Sequence, residues 1–233
     1  MRLRNSVLIV AALLGGCSRK PVETSVFIEP QFAELVPPDT TLLVGLRVEN
    51  LVKTPIYQKY LSRGRSGIID KFARSTGINP EKSLWNVLLV SDGRDSFVLG
   101  RGKFADELMA PDFSKRGVAR FGYHGMTLFG DEQRAMLMIN SSTIAMGETQ
   151  TLRSLVDKRT SFRGLPERLN MLTKEVPHET QFWGAYAGGP LDLPLTGNLE
   201  NVNKVLGLVG NGIFYFDVSQ GVTGTITGVA ASA

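Results

Sequence analysis

Val36-Pro37-Pro38-Asp39-Thr40 leads directly into Thr41-Leu42-Leu43-Val44-Gly45-Leu46-Arg47-Val48, a run rich in apolar and β-branched residues. A turn signal followed by such a run is typical of a β-strand. The pattern returns where Val176-Pro177-His178-Glu179-Thr180 leads into Gln181-Phe182-Trp183-Gly184-Ala185-Tyr186-Ala187-Gly188. A repeated order of residue types indicates an internal duplication, and the alternative is chance recurrence of Val-Pro before a strand.

The elements expected after each motif support the duplication. In the first copy, Thr54 and Pro55 predict the start of a helix over about 54–75, with Thr54 as N-cap and Pro55 at the first helical position. In the second copy a helix is expected over about 198–209. The strands expected after these helices run over 84–90 and 96–102, and over 212–219 and 221–231. Both copies therefore predict the order β-α-β-β.

Between the copies the sequence predicts a further β unit and two helices. The expected strands run over 118–123, 126–129, 134–139 and 143–146. The expected helices cover 150–158, with Thr149 as N-cap, and 166–175. Most strands are joined by tight turns, which favours antiparallel pairing. We expect an α+β fold, mainly an antiparallel sheet with covering helices. The body spans 35–233, with repeat-like halves at about 35–104 and 175–233 and a middle unit at 105–174.

The N-terminus has the layout of an export signal. Arg2 and Arg4 precede an apolar run over 7–14, which is too short to span a bilayer. Leu14-Gly15-Gly16-Cys17 then resembles the lipobox of bacterial lipoproteins. The resemblance implies cleavage after Gly16 and a diacylglycerol on the sulfur of Cys17. Residues 1–16 would be the signal peptide, and 17–34 the lipidated cysteine and a tether that begins the mature chain. Within this tether, Val26-Phe27-Ile28 could dock on the body.

Other interpretations of the N-terminus remain open. It is also compatible with an ordinary secretory signal in which Cys17 is incidental, or with a poor transmembrane anchor. Lipidation accounts better for a single cysteine in an exported chain, because oxidising compartments favour even cysteine counts. The resemblance places the protein in the bacterial cell envelope. Ser18, rather than aspartate, implies the periplasmic face of the outer membrane if the host has two membranes.

The body loosely resembles uncharacterised bacterial envelope lipoproteins whose repeats open with Pro-x-Asp-Thr and a strand. The features shared with that group are Thr54-Pro55-Ile56-Tyr57, the Tyr123-x-Gly125 step and Ala145-Met146-Gly147. This resemblance implies a fold and no activity.

Composition and motifs argue against several function classes. The chain has 42% hydrophobic and 21% charged residues and a net charge of +4, too little to predict nucleic-acid binding. His124 and His178 have no partners at metal-ligand spacing, and one cysteine excludes a cysteine zinc site. The nearest acid pairs, such as Asp92 with Asp95, fall at turns or element ends. We therefore expect no catalytic residues, no metal site and no cofactor.

The first predicted helix offers one candidate contact surface. Lys53, Lys59 and Arg63 surround it, and apolar residues including Tyr57 and Tyr60 lie at helical spacing. Tyrosines beside cations suit lipid headgroups or an anionic partner. The simpler alternative is an amphipathic helix that packs its apolar side on the sheet.

Three functions follow from these observations. The first is a non-enzymatic binding or assembly module, held at a membrane through lipidated Cys17 and directed at an unknown envelope protein. The second is a carrier or sensor of an apolar ligand, for which Phe182, Trp183, Tyr186, Phe214 and Phe216 are the candidate lining. The third is an enzyme with no recognisable motif.

Overall fold

A computed structural model of the chain describes residues 25–61, 78–104, 118–189 and 209–230. Its strands are β1 (Leu42–Arg47), β2 (Leu84–Ser91), β3 (Ser96–Gly102), β4 (Ala119–Tyr123), β5 (Met126–Gly130), β6 (Arg134–Asn140), β7 (Thr143–Glu148), β8 (Phe182–Tyr186), β9 (Val209–Asp217) and β10 (Thr223–Ala230). Its α-helices are α1 (Pro30–Ala33), α2 (Val48–Leu51), α3 (Pro80–Ser83), α4 (Thr149–Lys158) and α5 (Glu167–Thr173). A π-helical segment covers Tyr57–Leu61, and a 3₁₀ turn covers Arg159–Ser161.

The predicted α+β fold is confirmed. The ten strands form one sheet in the order β10-β9-β8-β1-β2-β3-β7-β6-β5-β4. Every pairing is antiparallel. All neighbours are consecutive in the chain except β8 with β1 and β3 with β7, so hairpins build most of the sheet.

The two predicted copies meet at the β1–β8 pair. Val44 lies opposite Gly184, and 140 positions separate them (184 − 44). The same spacing separates Val36 from Val176 (176 − 36). Val44 and Gly184 therefore hold equivalent places and face each other, and the other pairs are arranged symmetrically about them (Leu43 with Ala185, Gly45 with Trp183), as across a two-fold axis between two copies. This register supports the duplication.

The hydrogen bonds around that pair follow the same symmetry. The Arg47 N–H donates to the Gln181 carbonyl and the Ala187 N–H donates to the Thr41 carbonyl, each at 2.8 Å. The preceding turns also match: Thr40 N–H reaches the Pro37 carbonyl and Thr180 N–H reaches the Pro177 carbonyl, each at 3.2 Å. The Val-Pro-x-acid-Thr sequence thus forms the same turn twice.

One face of the sheet, here the first face, carries the main core. Its buried strand residues include Leu43, Leu88, Leu99, Leu137, Ala145 and Trp183. α4 covers them with Leu152 and Leu155, and α5 covers them with Leu169. Burial of each large apolar side chain stabilises the fold by about 1.5–3 kcal/mol.

The opposite face, here the second face, has a smaller core that extends from β2 to β5 in the strand order. It contains Val48 of α2, Phe104 after β3, and strand residues such as Met136 and Ile144. Ile78, just before α3, belongs to the same cluster.

The predicted tether ends earlier than residue 34. Val26 is buried, and its N–H donates to the Val176 carbonyl at 2.7 Å. Phe32 of α1 is 2% exposed and belongs to the first-face core. Residues 25–34 are therefore part of the body, because their few apolar side chains pack on the sheet despite the lack of periodicity.

Two expectations about helix ends can be compared with the structure. Thr54 caps as predicted: its hydroxyl oxygen accepts the Tyr57 N–H at 3.2 Å. The rest of that helix beyond residue 61 lies outside the described residues. The prediction for Thr149 was wrong, because its hydroxyl donates to the Asp131 carbonyl at 2.7 Å and Thr149 is itself the first helical residue.

The second predicted helix, 198–209, lies outside the described residues except at its end. Val209 already belongs to β9. Its pairing with Ala230 extends the β9–β10 hairpin by three residues at that end, beyond the predicted start at Gly212.

Candidate binding surface

The predicted site residues fall into two groups. Gly16, Cys17 and Arg63 lie outside the described residues. Lys53 and Lys59 are both exposed, and Lys59 Nζ lies 5.1 Å from the ring centroid of Tyr60. The anionic or headgroup contact at these lysines stays a prediction.

The start of the first predicted helix is amphipathic. Tyr57 is buried, and its hydroxyl donates to Glu81 Oε1 at 2.6 Å. Tyr60, one turn later, is exposed. The simpler alternative, with one side packed on the body and the other in solvent, therefore describes this short segment.

A second candidate surface lies on the second face of the sheet, at the end formed by β8, β9 and β10. Phe182 and Phe216 are directly paired across β8 and β9, with ring centroids 6.0 Å apart. Phe214 lies 5.4 Å from Phe182 and 6.2 Å from Phe216. We call these three phenylalanines the aromatic patch. Phe182 is exposed, and the other two are half-buried.

Two glycines allow the rings of the aromatic patch to lie low on the sheet. Gly184 is paired with Phe214, and Gly224 is paired with Phe216. A Cβ on either glycine would overlap the ring of its partner. Each phenylalanine ring therefore lies over the glycine of the neighbouring strand.

The predicted lining of an apolar ligand site does not converge in the structure. Trp183 is buried in the first-face core, on the side of the sheet opposite Phe182, because successive residues of a strand point to opposite faces. Tyr186 is buried, and its hydroxyl donates to the Gly189 carbonyl. Only Phe182, Phe214 and Phe216 remain as one surface.

A cavity of about 280 Å³ lies elsewhere, between the Val36–Thr40 turn, the β2–β3 hairpin and α4. Its lining mixes apolar side chains such as Phe97 and Leu155 with Asp39, Asp95 and Lys158. Sequence analysis missed it, although both turns lie at the same end of two antiparallel strands. The volume is just below the usual range for ligand pockets.

The acids and histidines have structural contacts. Asp92 Oδ1 accepts the Arg94 and Asp95 N–H groups at 2.8 Å, as expected of a turn residue. His124 occupies a turn with φ of 45°, and its Nδ1 lies 3.0 Å from Asp157 Oδ1. His178 Nδ1 lies 3.1 Å from the Ser25 carbonyl oxygen.

Asp157 also affects Tyr123. The Tyr123 hydroxyl donates to Asp157 Oδ2 at 2.9 Å, and this hydrogen bond raises the pKa of the phenol. Arg153 lies over the Tyr123 ring at 5.6 Å. This exposed cluster ties the β4–β5 hairpin to α4.

The described residues lack two further features. No group of three or more His, Cys, Asp or Glu side chains there is placed to hold a metal ion. Within the same ranges, no helix combines the length and the apolar character needed to cross a bilayer.

Comparisons with known proteins identify similar folds only. No protein-family model matches the chain, and no curated protein matches it in sequence. Among solved structures, crystal form III of TP0453 is similar with a TM-score of 0.50 and 16% identity, over 83% of this chain and 76% of that one. Crystal form IV of the same protein gives a TM-score of 0.47 at 15% identity, over 82% and 75% of the two chains. The chain thus shares the α+β fold of TP0453.

Proposed function

We propose that this chain is a non-enzymatic binding or assembly module of the bacterial cell envelope, held at a membrane by a lipid on Cys17. The signal-like N-terminus supports the anchor. Arg2 and Arg4, the apolar run over 7–14 and Leu14-Gly15-Gly16-Cys17 each have the character that lipoprotein processing requires. Two or more acyl chains on one cysteine would give stable anchoring.

The aromatic patch is the observation that carries the binding function. Three phenylalanine rings lie together on one sheet face, and Phe182 is 37% exposed. Contiguous exposed apolar surface on a protein marks an interaction site more often than isolated exposed residues do. Aromatic side chains also supply much of the binding energy of protein interfaces.

The anchor is tested by metabolic labelling with radioactive palmitate in cells that express the chain. We expect the wild-type protein to carry the label and to sediment with membranes. Cys17→Ser should abolish the label and release the protein. Globomycin, which inhibits lipoprotein signal peptidase, should cause the precursor to accumulate. Equal sedimentation of the Cys17→Ser variant without label would overturn the anchor.

The binding surface is tested with a photo-reactive benzoylphenylalanine at position 182. Trp85 is the matched control, because it is a similarly exposed aromatic residue, at 40%, on β2. A discrete cross-linked product from position 182 that is missing from position 85 supports the proposal. Equal products from both positions, or none, would contradict it. Turnover of a small molecule by the purified chain would contradict the non-enzymatic function.

A further inference from the structure

Among the described strands, β10 is the most exposed. β10 lies at the end of the strand order and, among the described strands, pairs only with β9. Seven of its eight residues are exposed, and only Thr225 is half-buried. Ile226 is 79% exposed and Val229 is 62% exposed.

This edge lacks the features that usually prevent strands from pairing between molecules. Such features are short length, charged side chains and proline. β10 has eight residues, Thr223-Gly224-Thr225-Ile226-Thr227-Gly228-Val229-Ala230, and none is charged or proline. β4, at the opposite end of the sheet, has five residues and contains Arg120. The β4 edge therefore has features that oppose pairing with a strand of another molecule, and the β10 edge does not.

The equivalent edge in the first half of the chain is already covered. β3 has the same place relative to β1 that β10 has relative to β8. The outer edge of β3 pairs with the antiparallel strand β7, from Phe97 opposite Gly147 to Arg101 opposite Thr143. In the first half of the chain, the outer edge of the third strand is thus covered by an antiparallel strand. The equivalent edge in the second half is that of β10.

The sequence of β10 is nearly the same in both directions around Ile226. Thr225 and Thr227 flank it, Gly224 and Gly228 come next, and Thr223 and Val229 follow. We propose that β10 pairs antiparallel with β10 of a second copy, centred on Ile226, to form a two-fold symmetric dimer with a continuous sheet.

The proposed register gives compatible neighbours at every position. Ile226 would face the partner's Ile226, and Thr225 would face the partner's Thr227. Gly224 would face the partner's Gly228. Pairs of β-branched residues and of threonines directly across antiparallel strands are stabilising. No charged residue faces a like charge across the pair. Because the two copies are related by a two-fold axis, both contribute the same strand.

The dimer would also join two surfaces. Ile226 is paired with Phe214, so it lies on the second face beside the aromatic patch. In the dimer the two isoleucines would connect the patches of both copies. Seven residues a side is far fewer than the roughly 20–30 of a standard interface, so we expect weak association that depends on protein concentration.

Disulfide trapping tests the register directly. In the full chain with Cys17→Ser, an introduced cysteine is the only thiol, because Cys17 is the only native cysteine. Residues directly opposite across an antiparallel pair have Cβ atoms close enough for a disulfide. Under mild oxidation by copper phenanthroline, Ile226→Cys should form disulfide-linked dimer at least about tenfold faster than the controls.

The controls are Met171→Cys and Val222→Cys. Met171 is an exposed residue of α5, and Val222 is exposed just before β10, outside the symmetric stretch. Equal rates for all three variants would overturn the proposal. Because Cys17 is replaced in each, this result does not depend on the lipid anchor of the proposed function.

Charge complementation supplies a second test, by sedimentation velocity of the full Cys17→Ser chain up to about 0.5 mM, a range suited to a small interface. We expect concentration-dependent dimer for the parent. The double variants Thr225→Lys/Thr227→Lys and Thr225→Glu/Thr227→Glu should each be monomeric, because like charges would face each other. An equimolar mixture of the two should dimerise again. The proposal is overturned if the parent stays monomeric or if the mixture does not dimerise. These outcomes include the case in which the β10 edge binds some other peptide.

Discussion

At the scale of single residues, the β8–β10 end of the sheet depends on glycine opposite phenylalanine. Gly184 and Gly224 have no side chain where the rings of Phe214 and Phe216 lie. The position equivalent to Gly184 in the first half is Val44, which lies opposite Leu89 of β2. One half therefore uses glycine with an aromatic ring, and the other uses two aliphatic side chains of intermediate size.

Gly184→Ala should destabilise the protein by about 1–3 kcal/mol, because its methyl group would displace the Phe214 ring. Urea unfolding measures the change in the free energy of unfolding. Gly221→Ala is the control, since nothing lies within 4 Å of its added Cβ. Adding Phe214→Leu to Gly184→Ala should recover part of the loss. Equal stability of the two alanine variants would show that the ring does not pack on Gly184.

Asp131 should make stability depend on pH. Its Oδ1 accepts the N–H groups of Gln133 and Arg134, each at 2.8 Å, and these bonds, first that of Arg134, lower its pKa. A carboxyl group whose pKa is lower in the folded than in the unfolded protein stabilises the fold at pH values above its unfolded pKa of about 3.9. This contribution is lost as the pH falls through the pKa of the folded state. Asp131→Asn should therefore lose less stability than wild type as the pH falls below about 4. Parallel urea curves at each pH provide the measurement, and identical pH dependence in both proteins would contradict it.

At the scale of elements, the strands could be predicted closely and the short helix α1 could not. β3 was predicted with its observed bounds, because β-prone residues lie between clear turn signals. α1 is a four-residue helix in a stretch with few apolar residues, so periodicity does not reveal it. Its position depends on tertiary contacts: Phe32 lies in the first-face core, and Gln31 Oε1 accepts hydrogen bonds from Arg101 and Thr143, each at 2.8 Å.

The candidate surface was harder to predict than the strands, because a surface depends on register as well as on strand location. Phe182 and Trp183 are adjacent in sequence, yet one belongs to the aromatic patch and the other to the core. The pairing of Gly184 with Phe214 joins strands that are separated by a long connection. Single-sequence patterns do not contain that register.

Phe32→Ala should cost about 3–5 kcal/mol, because a buried aromatic side chain is removed from the core. Phe27→Ala is a close control, since Phe27 is five residues away and 49% exposed, and it should cost less than about 1 kcal/mol. Thermal and urea unfolding of both variants test whether this segment belongs to the body. Similar small losses of stability in both variants would indicate that this segment is a tether, as the sequence predicts.

At the scale of the whole molecule, the two repeat-like halves meet at one seam. β1 and β8 pair with each other, and the hairpins of each half extend outward from them. Arg47 strengthens the seam, because its Nη1 donates to the His178 carbonyl at 2.7 Å in the other half's turn. The core on the first face crosses the seam without interruption, from Leu43 to Trp183.

Hydrogen exchange should follow this arrangement. Amide protons of β1 and β8 should exchange more slowly than those of the edge strands, because both are paired on both sides. Those of β10 and β4 should exchange fastest at low protein concentration. If β10 pairs with a second copy, its protection should rise with concentration while that of β4 stays constant. Uniform protection across the ten strands would contradict this order.

The seam has a consequence for biosynthesis. β1 ends at Arg47 and its partner β8 begins only at Phe182, so 134 residues must be made between them (182 − 47 − 1). At a translation rate of about 5–20 residues per second, β1 waits roughly 7–27 s for that partner. During this interval the nascent chain presents an apolar strand with one side unsatisfied. Cellular factors that shield nascent or unfolded chains have their clearest target there.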